Sequence, residues 1–178
     1  DGTLISKRLE LLKDAVPGTS RVAVLVNPND ADIGNTLSLL PAISRSLGLH
    51  FSVIELRSVA DFEQAFATAG REGVQALYVS QTPLLFSHRA DITRMAARAR
   101  LPSISGYGDF AASGGLLSYA TNLPDIYRRA ASFVDKVLKG GDAGDLPIER
   151  PVKFELIVNL RTAKAIGLKI PESFLVRA

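Results

Sequence analysis

The chain has 178 residues, 47% hydrophobic and 22% charged, with a formal charge of +3 and no cysteine. That length supports a full domain with its own core, and the absence of thiols excludes a disulfide scaffold, a cysteine nucleophile and a Cys-ligated metal. Lysines and arginines are scattered rather than clustered with aromatics, which argues against nucleic acid as a partner, and no apolar run approaches the roughly 18 residues of a membrane span.

Apolar spacing predicts a first helix over about Thr3 to Val16, stopped by Pro17-Gly18. A strand follows from Arg21 and breaks off into Asn27-Pro28-Asn29-Asp30. The next helix covers about Asp32 to Leu47, where Pro41 should kink or split the stripe. Phe51 to Leu56 makes a second strand, and Ser58 with Asp61 resembles a capping box for a helix from about Val59 to Glu72. The third strand, Val74 to Ser80, meets Gln81-Thr82-Pro83 and a helix over about Leu84 to Arg100. A short fourth strand, Ser103 to Ser105, meets Gly106-Tyr107-Gly108-Asp109.

Short, unalternating, β-branched runs that feed amphipathic helices predict an α/β fold: a parallel sheet with helices on both faces. Ligands of such sheets sit beyond the carboxyl ends of the strands, so the three polar tips form one composite binding edge.

The pattern then changes. Gly114 to Asn122 is strand-like and leads into a helix capped by Asn122, with Pro124 in its first turn, that runs to Leu138. Asp142 to Pro151 is a polar linker and the best boundary candidate, followed by a strand, Phe154 to Val158, and a short helix from about Leu160 to Ile166. The opening Asp1-Gly2-Thr3 lacks a Met, so the chain reads as a piece of a longer protein, with any secretory signal upstream.

Asn27, Asn29, Gln81 and Thr82 are neutral donors and acceptors suited to orienting a small polar ligand, with Gln81 and Thr82 expected to be exposed. For Asn27 and Asn29, turn formation is an equal reading. Asp30 and Asp32 either cap the following helix or face a ligand ammonium. Ser80 ends its strand as a cap or a ligand donor, and Tyr107 offers a wall for a flat ligand.

Enzyme chemistry is incomplete throughout. No Gly-x-Gly-x-x-Gly or Gly-Lys-Ser/Thr loop follows a strand, Ser80 and Ser105 lack a nucleophile elbow, and no cofactor is expected. His50 enters the second strand at the opposite edge and His88 has no ligand at i+4, so no metal is expected either.

The segments Lys7 to Gly18, Arg21 to Asn29, Gly114 to Asn122, Tyr127 to Ala131, Lys136 to Gly140 and Phe154 to Lys164 together resemble ABC-transporter substrate-binding proteins of the family whose known ligands include tryptophan and tyrosine. The resemblance implies a type I periplasmic binding protein: two flavodoxin- or Rossmann-like α/β lobes joined by three crossing strands, with ligand between them. It implies that residues 1–115 are the main part of the second lobe, and that residues 116–141 are a crossing strand and a helix facing the first lobe. Residues 142–151 would be a linker and 152–178 the return that completes the lobe. Asn27, Asn29, Gln81, Thr82, Gly106 and Tyr107 take a binding role by it, and Tyr119 and Asn122 fall at the hinge. Many relatives carry Thr-Asp where this chain has Gln81-Thr82, so a carboxylate that would pair a ligand amine is missing.

The function so implied is solute capture in the periplasm or another extracytoplasmic space and delivery to a permease with its ATPase. The helix from Leu123 to Leu138 is expected to drive self-association when its partner lobe is missing. The alternatives are an effector-binding domain of a transcription regulator, and an enzyme using the same cleft, which nearly neutral tips argue against.

Overall fold

Six strands form one sheet in the order β2-β1-β3-β4-β5-β6, in a computed structural model that describes residues 2–177. Asp1 and Ala178, the outer ends of the first and last expected segments, lie outside the described residues. The strands are β1 (Arg21–Val26), β2 (His50–Glu55), β3 (Ala76–Val79), β4 (Ser103–Ser105), β5 (Leu117–Thr121) and β6 (Phe154–Val158). The first five run parallel, while β6 pairs antiparallel with β5.

Alternation along β1 and β3 explains the two-faced core. Val22, Val24 and Val26 with Ala76 and Tyr78 point to one side, packing with α1 (Gly2–Ala15), α2 (Ile33–Leu47) and the C-terminal Ala163, Ile170 and Phe174. Ala23 and Leu25 with Leu77 and Val79 point to the other, against α3 (Phe62–Arg71), α4 (Pro83–Ser87) and α5 (Arg89–Arg98). With both faces covered, these strands have no polar side to show, which is why they read as continuous apolar runs.

Pro41 does not split α2, which continues as one helix past an exposed proline. The helix expected over Leu84 to Arg100 does break, into α4 and α5 at His88, whose φ and ψ of −107° and 20° leave the helical region. The capping pattern at Ser58 forms as expected: the Asp61 carboxylate accepts the backbone N–H groups of Arg57 and Ser58, each at 2.8 Å. A 3-10 turn, Val59–Asp61, precedes α3. Asn122 caps α6 (Leu123–Leu138), its side chain accepting from the Asp125 N–H at 2.7 Å.

Residues 142–151 form an irregular stretch with one 3-10 turn, exposed except at the half-buried Leu146. The chain then returns through β6, α7 (Leu160–Ala165) and α8 (Glu172–Leu175), where Arg177 reaches Asp14 of α1 at 2.7 Å. Among the described residues no helix is long and apolar enough to cross a membrane.

Candidate binding site at the carboxyl edge of the sheet

Because β1, β3 and β4 run parallel, the segments that follow them emerge at one edge. There a cavity of about 200 Å³ opens between α1, the start of α2 and the end of β3. It gathers Asp30, Ser80, Gln81 and Thr82 from the expected site, and adds Arg8, Tyr78 and Asp32.

Arg8 is only 3% exposed. Its Nε donates to the Tyr119 carbonyl of β5 at 2.9 Å, and its guanidinium lies over Gly106: a Cβ there would sit 2.3 Å from Arg8 Cζ and 2.3 Å from Gln81 Oε1. A side chain at position 106 would therefore have to displace the ends of Arg8 and Gln81. Gln81 Nε2 donates to the Gly106 carbonyl at 3.0 Å, joining the β3 and β4 tips. Burial pushes the Tyr78 phenol up, with the neighbouring Arg8 charge pulling the other way.

The tips differ in how much structural duty their side chains carry. Asn27 Oδ1 accepts from the Asn29 N–H at 3.0 Å, so Asn27 is spent on the turn, and neither asparagine lines the cavity. Neither aspartate caps α2 with its side chain; Asp30 accepts from the Asp32 N–H at 3.1 Å, holding the loop that precedes the helix. Thr82 is 2% exposed rather than open to solvent, because its hydroxyl caps α4 by accepting from the Leu85 N–H while Pro83 starts the helix. Gln81 is exposed as expected.

Tyr107 faces a neighbouring groove shared with Gln81, Gly106 and Phe86. Its hydroxyl donates to the Thr82 carbonyl at 3.1 Å and its ring centroid lies 4.5 Å from that of Phe86, over which the Arg89 guanidinium sits at 4.4 Å. Burial pushes the Tyr107 phenol up, and the charges of Asp30 and Asp109 push it the same way. Tyr119 lies beside Phe154, with ring centroids 5.7 Å apart.

Sequence reasoning missed Arg8. The signal was present: Arg8 stands three residues after Ile5 and four before Leu12, on the buried stripe of α1. His50 begins the edge strand β2 and is exposed; His88 sits 3.5 Å from Asp91 at the α4–α5 junction. Among the described residues no group of three or more His, Cys, Asp or Glu gathers as for a metal ion.

A curated relative, a tyrosine-binding protein of Clostridioides difficile (strain R20291), is 23% identical over 167 residues, which are 93% of this chain and 48% of the relative. The chain thus spans about half the length of the relative it matches. Among solved structures, a conserved domain protein from Vibrio cholerae superposes with a TM-score of 0.84 at 22% identity, over 98% of this chain and 58% of the other. An ABC domain in complex with L-Trp from Streptococcus pneumonia gives a TM-score of 0.80 at 20% identity, over 97% and 60%. At these identities the superpositions establish the fold. The model of the ABC transporter substrate binding protein family matches residues 1–178, and the chain belongs to that family.

Proposed function

We propose that this chain is the second lobe of a solute-binding component of an ABC importer, working outside the cytoplasmic membrane. It captures an amino-acid-like ligand against the carboxyl edge of its sheet and passes it, in a closed two-lobe form, to a permease driven by an ATPase. The observation that carries this reading is the family match over residues 1–178 together with the polar cavity at that edge. The tyrosine-binding relative and the L-Trp complex favour an aromatic amino acid as the ligand class.

On this reading residues 1–115 and 152–178 form the lobe, 116–141 a crossing strand and a helix that faces the first lobe, and 142–151 the returning linker. Asp30, Ser80, Gln81 and Thr82 line the ligand's side of the cleft; Asn27, Asn29, Gly106 and Tyr107 shape its rim; Tyr119 and Asn122 lie at the hinge. The role is binding, with closure around the ligand as its mechanism. Without a first lobe, the chain associates through α6, which sedimentation at high concentration checks.

The experiment is calorimetry on the intact protein and on this chain with L-tryptophan, L-tyrosine, sugars and purines. A micromolar complex of the intact protein, about 8 kcal/mol, should fall to millimolar or weaker binding by one lobe. Submicromolar binding by this chain alone overturns the two-lobe reading, and selective binding of a sugar or purine overturns the ligand class.

A further inference from the structure

A guanidinium removed from water is costly unless an anion meets it. Arg8 is 3% exposed, yet among the described residues no carboxylate lies within ion-pairing distance of it. Its Nε is taken by the Tyr119 carbonyl, which fixes the plane of the guanidinium over Gly106 while Arg8 lines the cavity. In the same cavity Ser80 is 4% exposed, and its Oγ has no hydrogen-bond partner among the described residues. Arg8 and Ser80, both buried, thus line one cavity.

The charge around that space limits what fits it. Asp30 and Asp32 line it too, so one positive and two negative side chains share the cavity. A phosphate or sulfate dianion would meet net repulsion, whereas a zwitterion carries one carboxylate for the guanidinium and one ammonium for the aspartates.

We propose that Arg8, assisted by the Ser80 hydroxyl, holds the carboxylate of an α-amino acid ligand, with Asp30 and Asp32 on the side of its ammonium group. This rests on the solute-binding reading above and assigns the anchoring residue within it. It also replaces the ammonium partner that Gln81-Thr82 lacks with a pair from the β1–α2 loop. Because Arg8 bonds to β5 as well, the ligand's charged end is fastened where the hinge strand passes.

Calorimetry on the intact protein with L-tyrosine and L-tyrosinamide tests the assignment, at about pH 6 so that both amines are protonated. The two probes differ in the charge that Arg8 would meet. The wild type is expected to bind the acid about 100-fold more tightly than the amide. Arg8→Gln should weaken the acid about 100-fold and move the amide less than about threefold. Ser80→Ala removes a hydroxyl with no bond among the described residues, so it should keep the melting temperature and weaken the acid about tenfold; it carries the test if Arg8→Gln does not fold. Equal affinity of the wild type for acid and amide, or an unchanged preference in the folded variants, overturns the assignment and leaves solute capture standing. Failure of the wild type to bind either probe or any other α-amino acid overturns the assignment together with the amino-acid ligand class.

Discussion

Helices α3 and α6 carry the same kind of apolar stripe and end up in opposite surroundings. In α3 the stripe closes over the sheet, burying Phe62, Ala65 and Ala69. In α6 most of the stripe is uncovered: Leu123, Tyr127, Val134, Val137 and Leu138 are exposed, Ile126 and Phe133 are half-buried in a groove shared with residues 149–153, and the one buried residue is a carboxylate, Asp125. Amphipathic spacing reports that a helix was selected to lie against a surface, and it is silent on which surface. α3 finds its surface within the chain, whereas ion pairs tie α6 to the returning chain, Asp125 to Lys153 at 2.9 Å and Arg129 to Glu149 at 3.1 Å.

The contrast is sharpest in the response to truncation. At a protein concentration low enough to keep the chain monomeric, Phe62→Ala should cost about 3–5 kcal/mol in urea unfolding, while Val134→Ala should stay within about 0.5 kcal/mol. Comparable losses at both positions would mean that α6 is packed in solution and would dissolve the distinction. A gain of bulk probes the packed region in the other direction: Gly106→Ala places a methyl group against Arg8 and Gln81, and should cost about 1–3 kcal/mol and release Arg8 from Tyr119. A crystal structure showing Arg8 unmoved in that variant would refute the close fit.

Smaller effects separate side chains within one tip. Thr82→Ala loses a buried cap and should cost about 1 kcal/mol, whereas Gln81→Ala, at an exposed position, should change stability by less than about 0.5 kcal/mol. Equal stability losses would place Gln81 among the structural residues.

Acid should loosen the attachment of α6. Hydrogen bonds from Lys153 and then Arg129 hold the Asp125 carboxyl below its ordinary value of 3.8. A depressed carboxylate stabilises the folded state fully above its unfolded pKa and loses that contribution as pH falls through the folded one. The α6 attachment should therefore be intact at neutral pH and weaken below about pH 4, where the Asp125 cross-peak and those of residues 149–153 shift together in NMR spectra. Loss of β1 and β3 signals over the same range would show that α6 is not a separate unit.

The parallel sheet was legible because its determinants are local. The runs at Arg21–Val26 and Ala76–Val79 are buried on both faces, so composition alone marks them, and Gly18, Gly48 and Gly73 close the preceding helices in the left-handed region. Asn122 was legible for the same reason, since a cap acts on its own helix. Arg8 was not read as a site residue because its meaning comes from distant groups, the Tyr119 carbonyl and Gly106, which only the fold brings to it. Thr82 was misjudged differently: the Thr-Pro cap pattern was visible, but a polar residue at a strand tip was taken to be solvated.

Thr121 and Phe154 are register partners on antiparallel neighbours, and the Asn122 N–H still donates to the Lys153 carbonyl at 3.0 Å beyond them. In topological terms β5 and β6 are the two arms of a β-hairpin, and everything from Leu123 to Val152 is an insertion at its tip. A two-residue Asn-Gly turn in place of that insertion would connect the arms with the twist they already have. The shortened chain would keep every member of both apolar clusters, because α6 and the linker contribute none of them. The α/β lobe is thus separable from α6 by one cut in a ladder, and a miniature lobe with the cavity intact becomes a buildable object.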